Sequence, residues 1–219
     1  MDTRSRRRHL LILAIATALI VPSQGFSQTL VGIRGGIAVA VPTSLLGPIP
    51  DDVGGAGSPR PAFSGGLQYV ASNQNPFSLE LQMLILQHSY TEFNGLSGTQ
   101  FKVADSYLSF PILLRMSQSP APLRFFGFVG PELDYIFDET SQAVGESKTY
   151  HRRLDGETLK LSLLFGFGLE KTLSDQLTCS LDLGYQISLL TFDLLNSEIN
   201  NPMADDVRLM FGMMYALNP

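Results

Sequence analysis

Toward the C-terminus the chain carries three runs in which every second residue is apolar. They are Leu159, Leu161, Leu163, Phe165, Phe167 and Leu169; then Leu177, Cys179, Leu181, Leu183, Tyr185, Ile187 and Leu189; then Val207, Leu209, Phe211, Met213, Tyr215 and Leu217. The intervening positions are mostly small, polar or charged, among them Lys160, Ser162, Gly166, Gly168, Glu170, Asp182 and Gly184. A period of two belongs to a strand whose faces meet unlike surroundings, and a helix would scatter these residues around its axis. Extended toward the N-terminus, the alternation predicts strands at 29–41, 62–72, 76–91, 103–117, 122–138, 157–172, 176–192 and 205–217. The connections alternate in length: 73–75, 117–121 and 173–175 are tight, whereas 42–61, 92–102, 139–156 and 193–204 are long. Short turns on one rim and long loops on the other, joining an even number of strands, is the organisation of a transmembrane barrel. Most segments also reach the roughly eleven residues that a strand tilted near 45° needs to cross an apolar band of about 25 Å.

Alternation alone does not say which face looks outward, so a soluble lipocalin-like barrel is the structural rival. Volume decides between them. The regular face carries far more large apolar side chains than an eight-stranded interior, only just wide enough to be filled, can hold. The opposite face offers residues a narrow lumen accepts, including Gly32, Gly36, Ala38, Ser64, Gly66, Ser109, Gly130 and Ser180. The expected fold class is therefore all-β, an eight-stranded antiparallel closed transmembrane β-barrel wound as an up-and-down meander. Its inward charges are Arg34, Arg115, Arg124, Lys160 and Arg208 against Glu80, Glu132, Asp134, Glu170 and Asp182, five facing five. Because a confined charge is tolerated only when paired, these residues predict a neutral ion-pair network that plugs the lumen and specifies register. A proton or ion path is the alternative use of the same set.

The N-terminus places Arg4, Arg6, Arg7 and Arg8 before an uncharged run from Leu10 to Val21, then Pro22, Gly25 and Ser27. That order is a secretory signal peptide, and its apolar run is too short for a spanning helix of ~20 residues. Residues 1–27 are the expected leader and 28–219 the barrel domain, with cleavage before Gln28. Beyond residue 27 there remain 11 Lys and Arg against 19 Asp and Glu, a formal charge of −8. Such an acidic chain does not invite nucleic acid. Cys179 is the only cysteine, which excludes an intramolecular disulfide, and its place in the alternation reads as a small apolar residue on the outward face.

Candidate chemistry is sparse. His88 stands near the predicted long-loop rim beside Ser89 and Tyr90, but sequence brings no nucleophile, base and orienting acid together. A barrel enzyme acting on envelope lipid around His88 is an alternative, and the leading expectation is no enzymatic activity. The two histidines and one cysteine beyond the leader lack zinc spacing, and the acids of Asp51-Asp52 and Asp205-Asp206 read as solvated loop-rim residues rather than a calcium site. No cofactor is expected. The third long loop carries Lys148, Tyr150, His151, Arg152 and Arg153, a basic and aromatic patch suited to lipopolysaccharide phosphates or a partner protein.

Three segments carry a family resemblance. Tyr107-Leu108-Ser109-Phe110-Pro111-Ile112-Leu113-Leu114-Arg115 resembles the Tyr-Leu-x-x-Pro-Leu-Leu-basic strand of the PorT-like outer-membrane β-barrel domain, Gly32-Ile33-Arg34-Gly35-Gly36 its first strand, and Phe126-Gly127-Phe128-Val129-Gly130-Pro131 its glycine-rich central strand. Pro111 and Pro131 are expected to mark bulges on neighbouring strands. Gly212, Tyr215 and Leu217 resemble the C-terminal signal read by the outer-membrane assembly machinery, with Met210 and the trailing Asn218-Pro219 as departures. A structural or recognition role through the outer loops, in contact with outer-membrane lipid and lipopolysaccharide, is the expectation from the residues themselves, whereas the resemblance implies a bacterial outer-membrane location and a barrel shape. It names no protein partner. One branch of the family serves envelope secretion and gliding, which makes an accessory subunit of such a machine a further alternative.

Overall fold

The computed structural model describes residues 28–41, 59–72, 76–94, 99–118, 123–144, 149–151, 158–193, 198–200 and 205–217; the expected leader, 1–27, lies outside them. The strands are β1 Gln28–Val41, β2 Pro59–Ser72, β3 Phe77–Asn94, β4 Thr99–Ser117, β5 Leu123–Ala143, β6 Thr149–His151, β7 Thr158–Thr172, β8 Leu177–Asp193, β9 Glu198–Asn200 and β10 Asp205–Ala216. Eight of them pair in chain order, β1 to β5, then β7, β8 and β10, and β10 returns to β1. The barrel is closed, all-β and antiparallel, and β1 pairs β10 continuously from Leu30↔Ala216 to Val41↔Asp205. Closure matters in lipid because an open edge would leave backbone donors and acceptors with nothing to bond. Among the described residues no helix is long and apolar enough to cross a membrane.

The turn from β7 to β8 shows how tight the short-turn rim is. The N–H groups of Leu173 and Ser174 both donate to the Leu177 carbonyl at 2.8 and 3.2 Å, and Ser174 Oγ accepts from the Leu177 N–H at 3.2 Å. Nearby, the chain end is tied down by the Leu217 N–H donating to the Thr29 carbonyl at 2.9 Å.

At the other rim the strands outrun the alternation. β3 continues to Asn94, β4 begins at Thr99, and β5 extends to Ala143, so much of the segments 92–102 and 139–156 expected as loop is paired strand. The added residues are largely polar and carry no sustained apolar alternation in the sequence, which is why periodicity stopped short of them. β6 pairs β5 at Thr140–Gln142, and β9 pairs β8 at Thr191–Asp193. Both are three residues long, below what a pattern of alternation can register.

The prolines depart from expectation. Pro111↔Glu132 and Pro131↔Leu163 lie in uninterrupted register, and the register shifts fall instead at Arg60/Ser64, Ser106/Tyr107 and Leu161/Ser162, toward the long-loop rim. Proline deletes a donor without inserting a residue, and its fixed φ is compatible with a strand, so it thins the ladder without bending it.

Outside, large apolar side chains ring the barrel at the positions the alternation assigns: Ile33, Phe63, Leu67, Ile85, Ile112, Leu114, Phe125, Val129, Phe167, Leu183 and Phe211 are all exposed, Phe63 at 79%. Inside, the small residues do not stand alone. Leu84, Leu86, Tyr107, Ile136 and Met210 form one buried cluster, Leu113, Phe126, Phe128 and Leu164 a second, and Leu30, Val70, Met214 and Ala216 a third near the short-turn end. Large rings face glycines across the ladder, Phe126 opposite Gly168 and Phe128 opposite Gly166. A Cβ on Gly168 would come within 2.5 Å of Phe126 Cζ and 2.6 Å of the Leu181 carbonyl oxygen.

Two substitutions probe the two faces. Gly168→Ala overfills the lumen and is expected to cost about 1–3 kcal/mol, whereas Phe167→Arg, one residue away but facing lipid, is expected to cost about 2–4 kcal/mol. Both read out as lower denaturant midpoints in lipid vesicles. Transfer to a detergent that lets the surface hydrate should shrink the Arg penalty and leave the Ala penalty unchanged.

Candidate functional site inside the barrel

The interior charges divide into two groups along the barrel axis. Toward the short turns, Arg34 on β1 donates from Nη1 to Glu80 Oε1 at 2.8 Å and from Nη2 to both oxygens of Asp182 at 2.7 Å. Arg115 on β4 lies 3.6 Å from the other Glu80 oxygen and donates to Glu170, which also accepts from Arg124. Gln82 Nε2 adds a hydrogen bond to Glu80 at 2.8 Å. The Arg115 guanidinium lies 3.6 Å from the centroid of the Phe126 ring, so the pair is packed as well as ionic. Three arginines meet three acids, and the pairs join β1, β3, β4, β5, β7 and β8 across the lumen.

Toward the long loops, Arg208 on β10 chelates Asp206 through Nε and Nη2 at 2.8 and 3.1 Å and donates from Nη1 to Glu132 Oε1 at 2.7 Å. The Ser109 hydroxyl donates to that same oxygen. Gln186 donates to Asp134 at 2.8 Å and accepts from Lys160 Nζ at 3.3 Å. Lys160, Glu132, Asp134 and Arg208 are essentially inaccessible to solvent, at 0 to 2% exposure. Long cationic side chains reach such depth only when their head groups are hydrogen-bonded.

All ten charges assigned to the lumen are therefore inside, but the count of five against five needs correction. Asp105 and Asp206 are also buried and inward-facing. Each stands two residues beyond a residue on the inward face, Tyr107 and Arg208, so the two-residue period already carried the signal. Asp205 and Asp206 are likewise not solvated rim acids: both are fully buried, and Asp205 accepts from the Tyr185 hydroxyl and the Ser188 N–H, each at 3.0 Å. The extra acids gather at the long-loop end.

The rim candidates are placed only in part. His88 sits on β3 with its backbone opposite Asp105, and Tyr150 and His151 on β6 pair Ser141 and Thr140. The side chains of these three, and the whole of Lys148, Arg152 and Arg153, lie outside the described residues. Among the described residues no group of three or more His, Cys, Asp or Glu is arranged to hold a metal ion.

An apolar belt outside, a salt-bridged interior and a closed meander are joined by a direct family match: residues 23–193 fit the model of the outer membrane protein beta-barrel domain. The chain belongs to that family. The match ends before β10, the strand that closes this outer membrane barrel onto β1.

Similar solved structures are of the same kind. A major outer membrane protein of Thermus thermophilus superposes with a TM-score of 0.55 at 12% identity, covering 87% of this chain and all of that one. The outer membrane protein OprG of Pseudomonas aeruginosa gives 0.48 at 15% identity over 87% of this chain and 94% of its own, and Neisserial surface protein A 0.43 at 13% over 85% and 96%. No curated protein matches the sequence significantly. Family and fold together give the protein a bacterial outer-membrane location.

Removing one partner of this outer membrane barrel's lumen network should cost far more than an exposed salt bridge. Arg34→Ala leaves Asp182 without its arginine and Glu80 with only Gln82 and the more distant Arg115, and is expected to destabilise by roughly 3–5 kcal/mol. Adding Glu80→Gln and Asp182→Asn should recover most of that loss in the same vesicle unfolding assay.

Proposed function

We propose that this is an integral outer-membrane protein whose lumen is plugged and whose work is structural or recognitional, carried by its outer loops. The observation behind the plug is the interior itself: long ion pairs and three apolar clusters, nearly all buried, occupy the cross-section of an eight-stranded barrel. Purified protein in planar bilayers is expected to give no stable pore, and reproducible discrete openings would overturn the reading. The leader of residues 1–27, with cleavage before Gln28, belongs to the same proposal. N-terminal sequencing of protein from outer membranes, with a heat-dependent gel shift, tests export and barrel together.

Recognition is best supported at the long-loop side, where β3, β4 and β5 outrun the belt and the Lys148–Arg153 patch follows β5. Joint replacement of Lys148, Arg152 and Arg153 by Ser should lower co-purifying lipopolysaccharide severalfold. Unchanged lipopolysaccharide with an intact barrel would remove the patch from the proposal. The motifs at 32–36, 107–115 and 126–131 support the PorT-like domain within the family; they do not select its secretion and gliding branch, for which stable envelope partners in a pull-down are the expected sign.

A further inference from the structure

We infer that residues 110–113 of β4 are the compliant segment of the barrel wall, a unit that opens locally within the membrane while the rest of the wall stays shut. The inference rests on where backbone pairing is missing. The β3–β4 ladder passes from Leu81↔Ile112 to Leu84↔Ser109 with no pair between, and the β4–β5 ladder passes from Pro111↔Glu132 to Leu114↔Val129 with none between. Each gap spans two residues on both strands, so the register is unchanged across it. Among the described residues every other interruption of a ladder coincides with a register shift, at Arg60/Ser64, Ser106/Tyr107 and Leu161/Ser162. These two gaps are therefore lost bonds rather than bulges, and both border the same four residues of β4.

Proline accounts for both. The flanking register sets Pro111 opposite Gln82 in the first gap and Pro131 opposite Ile112 in the second, and neither proline has an N–H to donate. The strands remain in contact all the same, since a Cβ on Gly130 would come within 2.0 Å of the Ile112 carbonyl oxygen. The wall here is closed but not bonded. Ile112 and Leu114 face lipid, half exposed, where no water replaces a missing hydrogen bond.

Side chains do not make up the loss. On the lumen side, Ser109 ties β4 to Glu132 of β5, and Arg115 ties it to Glu170 of β7 and lies 3.6 Å from Glu80 of β3. Between these two anchors the inward residues are Pro111 and Leu113, and Leu113 has only the apolar company of Phe126, Phe128 and Leu164. Residues 110–113 thus lack part of their backbone ladder on each side and have no polar side-chain tie, while both ends are pinned. Local opening is least costly where backbone bonds and specific contacts are fewest.

Opening of this kind falls on the microsecond-to-millisecond scale. Amide relaxation dispersion of the protein in lipid nanodiscs should show exchange at Ile112, Leu113 and Gly130, and none at Phe167 and Leu181, whose strands are paired continuously around them. Pro131→Ala restores a donor on the lipid-facing phase of β5 without emptying the lumen, and should lower the exchange at all three residues severalfold. Flat dispersion at Ile112, Leu113 and Gly130 in the wild type would overturn the inference whether or not the variant folds. Exchange of equal size at Phe167 and Leu181, or exchange undiminished in a folded Pro131→Ala barrel, would overturn it as well.

Discussion

Everything in this molecule follows from the fact that hydrocarbon offers no hydrogen bond to a strand edge. A sheet can enter lipid only by closing, and here it closes where the first and last strands meet, along the seam from Leu30↔Ala216 to Val41↔Asp205. Antiparallel closure of a meander requires an even number of spanning strands, and it forces the tight turns to one rim and the long loops to the other. The seam also sets an order of assembly. β1 has no second partner until β10 has been made, although β10 is the strand that the family match leaves out.

Closure inverts the usual placement of residues and creates the problem that the interior solves. With the large apolar side chains turned to lipid, the narrow interior is lined by what remains. Arginine suits the task because its long stem spans the lumen while its fork bonds two carboxylates at once. Arg34 does this between Glu80 on β3 and Asp182 on β8, and Arg115 between Glu80 and Glu170 on β7. Buried ion pairs are weak evidence for net stability. They are strong constraints on register, because a slip of one residue would turn every one of these charges toward lipid. The facing of Phe126 and Phe128 with Gly168 and Gly166 adds a second constraint of the same kind, by volume rather than charge.

What the sequence made legible is what this constraint imprints. The eight spanning strands, their order, both faces and the ten inward charges of the network were readable because lipid on one side and a lumen on the other force a strict period of two. Legibility failed where a position did not have to choose. Leu84, Ile85 and Leu86, or Leu113 and Leu114, are apolar on both faces, so the interior clusters they form were hidden within what looked like an outward stripe. Asp206 obeys the period, yet near a polar rim it reads as solvated, and Asp105, on the same phase as Tyr107, went unassigned. Pro111 and Pro131 read as bulges, but losing a donor does not shift a ladder that flanking pairs hold in register.

Beyond the long-loop rim the constraint relaxes, and the structure changes character there. Water can satisfy backbone groups above the membrane, so β3, β4 and β5 extend without an apolar stripe and strands as short as β6 and β9 persist. The three register shifts also lie toward this side, where a twist or bulge need not preserve a lipid-facing row. The excess of interior acid sits on the same side, while the short-turn half is balanced three against three. A barrel that must be uniform within the bilayer is thus free to vary only outside it, and that is why the proposed recognition role is placed at the long-loop face.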